Sequence, residues 1–226
     1  MSTGAVIIER EVRVPLNITS LRRFRKWAHS PEFPDHGKVC FIAGEIDIDL
    51  SPENIYSHSR PKRDVSVDLA MLVRKRNLGE VLLDGAFLVN EEADLGAEPD
   101  LMFCSWESLK SGRVEYRPAS KAGKELVEVA GTPDLVVEII SPSSVRKDTV
   151  RLRTAYFDAG IPEYWLIDAR GKLVDFQLLK RTSKEYVAVA PDAEGFRPSA
   201  TFGCRFRIVQ TRNPIGGYSY RLRHRD

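Results

Sequence analysis

The most uniformly apolar run of the chain, residues 135–140 (LVVEII), contains one carboxylate, Glu138. Side chains alternate along a strand, so Val136, Glu138 and Ile140 share one face while Leu135, Val137 and Ile139 share the other. A strand apolar on both faces is covered on both sides, and a carboxylate there is costly unless it is paired, hydrogen-bonded or bound to a metal ion. A buried ion pair with an arginine answers that demand as well as a metal does. Two Pro-Asp steps open strand-like runs, Pro99-Asp100 before LMFCS and Pro133-Asp134 before LVVEIIS. Either aspartate can be a ligand or a turn residue. Asp134 and Glu138, four residues apart on one strand, have Cα atoms ~13 Å apart and cannot readily share an ion, whereas Asp100 can face Glu138 across a strand spacing of ~4.8 Å. Asp100 with Glu138 is therefore the favoured pair. Hard divalent cations take several oxygen ligands, and Glu45, just after Gly44, is the candidate third acid; its alternative is an exposed hairpin charge.

The elements that must hold these residues follow from periodicity and punctuation. Residues 19–29 read as an N-terminal amphipathic helix with Leu21, Phe24 and Ala28 on one stripe, its arginines and Lys26 forming a solvated face. Residues 38–50 read as a hairpin bending at Ala43-Gly44. Ser51-Pro52-Glu53 signals a helix start, Pro61 a kink or restart, and Gly79 a stop. Residues 79–90 suit a strand pair or one bent strand, and 101–105 a further strand. Residues 112–125, rich in Lys, Arg, Gly and Ser, read as an exposed insertion. A helix across 145–159 ends at Gly160 and Pro162, and 164–168 (YWLID) is a strand. Alternation near 173–179, 186–189 and 206–209 predicts further antiparallel strands. Tyr164 and Trp165 read as core, and the four histidines show no ligand spacing.

The 226 residues suit one domain spanning 1–226, with a core at about 38–180 and C-terminal strands within 184–210. Three scattered cysteines without a CxxC pair suggest a reducing compartment such as the cytoplasm. Residues 1–14 reach Glu9 and Arg10 before a signal-peptide core forms, and no stretch has the length of apolar residues that a membrane span needs. A net charge of +2 argues against coating nucleic acid by bulk electrostatics, so any such contact must be local. Phosphate loops, GxSxG elbows and HExxH motifs are absent.

The succession Gly44-Glu45, Glu98-Pro99-Asp100, GTPDLVVEIISPSS ending at Ser144, Asp148, Tyr156 and AGIPEYWLID ending at Asp168 closely resembles the Uma2 family of the PD-(D/E)XK nuclease superfamily, over roughly residues 40–176. The resemblance implies an α/β (α+β) fold with a restriction-endonuclease-like mixed β-sheet flanked by helices, here with extra antiparallel strands. It further implies Mg²⁺ or Mn²⁺ held by Asp100, Glu138 and Glu45, and metal-assisted hydrolysis of phosphodiesters in DNA. Asp134 and Asp148 would support the site. The chain departs from the superfamily pattern where a lysine should follow Glu138 by two residues: that position is Ile140. Many relatives instead carry a lysine four residues after the aspartate matching Asp148, and here that is Leu152. Lys147 and Arg151, four apart and so on one helix face, can supply a cation or lie at a solvated helix end; Lys147 is preferred, because an ammonium can also lower the pKa of a water. The expected protein is a bacterial endonuclease acting as a homodimer, since two-strand cleavage suits a two-fold pair. The alternative is a nuclease fold that has lost catalysis and binds nucleic acid as a regulatory module.

Overall fold

The computed structural model describes residues 5–8, 12–118 and 125–226; the segments 1–4 and 9–11, on which part of the signal-peptide reading rests, and 119–124, within the expected insertion, lie outside the described residues. Strands β1 (Ala5–Ile8) and β2 (Val12–Pro15) precede helix α1 (Leu21–Ala28), which buries Leu21 and Phe24 as its pattern predicts and Trp27 rather than Ala28. β3 (Lys38–Ile42) and β4 (Glu45–Asp49) form the expected hairpin, with Ala43 and Gly44 both at positive φ in the turn. The next helix starts later than Ser51-Pro52-Glu53 suggests. Asn54 caps it, accepting from the backbone N–H groups of Tyr56 and Ser57, and a wide turn (Ile55–Ser59) leads into α2 (Arg60–Arg76). Pro61 sits in the first turn of α2, where its missing N–H is not needed. Asn77, left-handed at φ 52°, ends the helix before Gly79 is reached.

Residues 79–90 become β5 (Gly79–Leu83) and β6 (Phe87–Asn90), which pair with different sheets. β7 (Leu95–Ala97), β8 (Leu101–Ser105) and the short α3 (Trp106–Lys110) follow. The expected insertion at 112–125 is in part a strand: β9 (Val114–Pro118) pairs antiparallel with β10 (Leu126–Gly131), burying Val114. Gly131, at φ 107°, lets the chain leave β10 for β11 (Leu135–Ile139), since a Cβ there would collide with the carbonyl of Arg113. A second wide turn (Lys147–Leu152) enters α4 (Arg153–Asp158), and β12 (Glu163–Asp168), β13 (Asp175–Arg181), β14 (Tyr186–Ala188), β15 (Arg197–Ser199), β16 (Cys204–Arg212) and β17 (Tyr218–Arg225) complete the chain.

The expected mixed sheet with extra antiparallel strands takes the form, among the described residues, of two six-stranded mixed sheets, ordered β4-β3-β7-β6-β10-β9 and β14-β13-β12-β11-β8-β5, with a three-stranded sheet β15-β16-β17 and the two-stranded β1-β2. A shared core that includes Cys40 and Ile42 of the first sheet, Val136 and Tyr164 of the second, and Tyr156 of α4 lies between the two. The opposite face of the second sheet is covered by α2 and the three-stranded sheet, while α1 covers the first. Val136, Glu138 and Ile140 therefore face the shared core, as their alternation requires.

Glu163 shows how an acid in this interior serves structure alone. Its carboxylate accepts hydrogen bonds from Ser199 Oγ at 2.8 Å, Thr201 N at 3.0 Å and Trp165 Nε1 at 3.2 Å, fastening the loop after β15 to β12. Hydrogen bonds to a charged group contribute about 1.5–3 kcal/mol each, and they are not additive. Glu163→Ala is accordingly expected to lower unfolding free energy by roughly 2–4 kcal/mol in urea denaturation; a loss below about 0.5 kcal/mol would remove this role.

Candidate active site

β8 and β11 run antiparallel with Leu101 opposite Val137 and Met102 opposite Val136, so the register carried one step further sets Asp100 opposite Glu138. Asp100 Oδ2 accepts the backbone N–H of Ile139 at 2.7 Å, which fixes the aspartate against β11. Both carboxylates are buried, and both line an open cleft of about 1180 Å³. Lys38 reaches the cleft from the start of β3, His58 from the wide turn before α2, and Lys147 and Asp148 from the second wide turn, while Lys62, in the first turn of α2, stands close to Asp100 without lining the cleft. Wide turns of this kind are uncommon in helices and concentrate at functional sites.

The charges are distributed unevenly. Asp100 Oδ1 bonds the Lys38 ammonium, Lys62 Nζ lies 3.6 Å from the same oxygen, and His58 Nε2 lies 3.6 Å from Oδ2. Burial alone would raise the Asp100 pKa, but Lys38, His58 and Lys62 outweigh it and hold the group below the ordinary aspartate range. Glu138 has less compensation. Burial, then the negative charges of Asp100 and Asp148, push it up to about 8 against the pull of Lys38 and Lys147. Asp148 is raised to about 6, chiefly by burial. Burial disfavours the charge on Lys147, yet the surrounding negative groups, Asp148 and Glu138 among them, hold its pKa above the ordinary lysine range.

Orientation is set by hydroxyl groups. Tyr156 donates to Glu138 Oε1 at 2.7 Å, Ser144 donates to Asp148 Oδ2, and Tyr164 donates to the backbone carbonyl of Asp148 at 2.9 Å. Asp148 Oδ1 is buried without a hydrogen-bond partner among the described residues, 3.6 Å from Lys147 Nζ. An orphaned buried carboxylate oxygen near a second carboxylate that ionises with difficulty offers hard oxygens of the kind a divalent cation takes. Among the described residues the one set of three ligands whose atoms lie within 4.8 Å of one another is Glu53, His58 and Asp100, and Lys62 occupies that corner, 2.5 Å from Glu53 and 2.7 Å from Asp84.

Of the residues selected from sequence, the structure gathers Asp100, Glu138, Lys147 and Asp148 at this cleft and places three others elsewhere. Glu45 is exposed and pairs with Arg151 at 3.1 Å, and Arg151 also binds Asp47 at 2.5 Å, so both are engaged outside the cleft. Asp134 stands at the other end of β11, bound to Arg113, Ser105 N and Ser108 Oγ. Lys147 is buried, not at a solvated helix end. Sequence reasoning missed Lys38, His58, Lys62 and the role of Tyr156. The available signals were slight: a lysine opening a strand, a histidine five residues after an acid, and a tyrosine in a helical stripe.

A carboxyl whose pKa is raised on folding binds more protons in the native than in the unfolded state, so its contribution to stability is fully present below the unfolded pKa and is lost as pH rises through the folded one. For Glu138 that window runs from the ordinary 4.5 to about 8. With divalent ions chelated, the protein should lose urea resistance between about pH 6 and 8, and Glu138→Gln should flatten that decline. Identical pH profiles for the two proteins would rule out the buried, disfavoured charge.

Among the described residues no helix is long and apolar enough to cross a membrane. No functionally curated protein matches the chain. One solved structure, described as "a putative nuclease belonging to DUF820" from Anabaena variabilis, shares 20% identity and superposes with a TM-score of 0.59 over 81% of this chain and 90% of that one. At that identity the likeness is one of fold, and it supports the α+β architecture of sheets flanked by helices. The Uma2 family, described as "Putative restriction endonuclease", matches residues 21–208, which include β8, β11, both wide turns and every cleft residue discussed above; the chain belongs to that family.

Proposed function

We propose that the protein is a divalent-metal-dependent endonuclease that hydrolyses phosphodiester bonds of DNA in this cleft. The observation that carries the reading is the register of Asp100 opposite Glu138 in the cleft, with Lys38 and Lys147 in its lining and Lys62 beside Asp100. Mg²⁺ or Mn²⁺, when bound, supplies a polarised phosphate oxygen and an acidified water; Asp100, Glu138 and Asp148 would hold it. Tyr156 directs Glu138 by occupying Oε1 and leaving the second oxygen to the cleft. Lys147, charged and anchored beside Asp148, offsets phosphate charge in place of the cation that the apolar Ile140 cannot provide. Lys38 and Lys62 extend the positive wall on the Asp100 side.

A second reading, a nucleic-acid-binding protein without turnover, is favoured by one contact: the Lys38 ammonium already neutralises Asp100. Cleavage of plasmid and linear duplex DNA with Mg²⁺ or Mn²⁺ separates the two. Glu138→Gln should abolish cleavage, and Lys147→Met, which keeps the buried stem while removing the charge, should reduce it roughly 10²-fold while Mn²⁺ still raises the melting temperature. Absence of hydrolysis by the unaltered protein across DNA and RNA substrates would establish the binding reading. Unimpaired hydrolysis by Lys147→Met would remove Lys147 from the chemistry.

Scission of both strands by one site per chain is simplest in a two-fold pair. Light scattering should therefore give twice the 25.5 kDa chain mass; a monomer mass at micromolar concentration would exclude the dimer.

A further inference from the structure

Away from the cleft, residues 197–226 hold seven arginines, no lysine and a single acid, Asp226, a local charge of +6 in a chain whose total is +2. The remainder of the chain is thus acidic on balance, and the basic character is concentrated in one hairpin. β16 and β17 pair antiparallel with Arg205 opposite Arg225, Arg207 opposite Arg223 and Val209 opposite Arg221. Residues directly opposite project from the same face, so one side of the ribbon presents five arginines. The other side buries Phe206 and Leu222 against the second sheet and α2.

Like charges directly opposite one another across strands destabilise a sheet. The protein relieves only one of the two such pairs. Asp192 bridges Arg205 at 3.4 Å and Arg225 at 2.6 Å, and Arg221 meets Asp68 at 3.2 Å. Arg207 and Arg223 meet no carboxylate among the described residues; Arg207 lies over the Phe196 ring at 4.6 Å and donates to the Glu194 carbonyl at 2.9 Å, and Arg223 is exposed. This arrangement leaves positive charge for an anion from outside.

The ribbon is also aimed at the cleft. It lies along α2, with Tyr220 N and Leu222 N each donating at 2.9 Å to Asp64 and Asp68. At its turn, Arg60 donates to the Tyr218 carbonyl at 3.2 Å and Tyr220 Oη donates to the Tyr56 carbonyl at 3.3 Å. Tyr56 itself lines the cleft. The turn end of the ribbon therefore lies beside a residue of the cleft lining, and the arginine face, which starts at Arg221 next in the chain to Tyr220, runs along the ribbon away from that end; β17 and the end of β16 lie beyond the span matched to the family.

We propose that the arginine face of the β16–β17 ribbon is a second contact for duplex DNA, gripping its phosphate backbone beside the cleft; the choice of DNA rests on the proposed nuclease function. Same-face side chains recur every ~6.8 Å along a strand, twice the ~3.4 Å per-strand charge spacing of the duplex, and a two-stranded ribbon is narrow enough for a major groove. Arginine binds phosphate through two parallel hydrogen bonds, which lysine cannot do.

The test is binding of a fluorescently labelled duplex in EDTA, by anisotropy, from about 50 to 300 mM salt. Arg221→Ala/Arg223→Ala, which alters two exposed side chains, should weaken binding roughly tenfold and flatten the slope of log affinity on log salt by about 0.9 per arginine. Arg207→Ala/Arg223→Ala should do the same, with its fold checked by melting temperature. An unchanged affinity and slope in the exposed-pair variant overturns the proposal, as does a dependence on these arginines seen only with single-stranded RNA or with phosphatidylserine vesicles. Hydrolysis of bis(p-nitrophenyl) phosphate with Mn²⁺, a substrate too small to reach the ribbon, separates this inference from the nuclease reading. Loss of duplex binding with the small-substrate rate intact is the expected result. If the unaltered protein hydrolyses neither this diester nor DNA or RNA while duplex binding still needs the arginines, the ribbon stands and the nuclease reading falls.

Discussion

Three carboxylates, Asp100, Glu138 and Asp148, are buried at one end of an apolar core, and few of the surrounding elements could take another arrangement without leaving one of them uncompensated. A lone buried charge costs several kcal/mol even after relaxation. The protein meets that cost with parts drawn from distant segments: a lysine that opens β3, a histidine and a lysine around the start of α2, a lysine on the turn before α4, and tyrosine and serine hydroxyls that hold the carboxylates in place. The compensation is unequal. Asp100 is drawn down by Lys38, His58 and Lys62 while Glu138 is left reluctant to ionise, and two neighbouring carboxyls whose pKa values are pushed apart in this way are what acid–base chemistry uses.

Glu163 supplies the internal contrast. It is as deeply buried as Glu138 and lies on the adjacent strand, but hydroxyl, amide and indole donors surround its carboxylate and no second acid crowds it. Burial of an acid is therefore no mark of function in this fold. What separates the two is place: Glu138 lines the cleft together with Asp100 and Asp148, and Glu163 does not.

Much of this was legible in local sequence, for physical reasons that can be named. A carboxylate inside a two-faced apolar strand is a conflict between neighbours in the chain, so Glu138 could be found without any knowledge of tertiary contacts, and the Pro-Asp step before the partner strand pointed to Asp100. The helix around Lys147 was visible by its periodicity, although its wide first turn and the burial of Lys147 were not. Lys38, His58 and Lys62 stayed hidden because each lies tens of residues from the acid it serves, and a single charged residue at the start of a strand or helix has no periodic signature. The division of 79–90 between two sheets was equally hidden: the turn at Gly85 permits either a hairpin or a switch of sheet, and only the cross-strand partners decide. Glu45 was selected for its place after a glycine bend, where Arg151 from across the cleft-side turn claims it.

The charge balance illustrates a further limit of reading composition. A net +2 argues against a surface that attracts polyanions everywhere, and that inference holds for the whole molecule. It does not constrain how charge is arranged, and here opposing tendencies are separated in space: acids converge in the cleft, where they need cations, while arginines stack on one face of a terminal ribbon, where they lack enough acids. Each region is electrostatically incomplete by itself. A ligand carrying phosphates in a regular array beside a divalent cation would satisfy both at once, and the arrangement of β17 along α2, with its first residues against Tyr56 at the cleft mouth, places the two demands on neighbouring surfaces of one element.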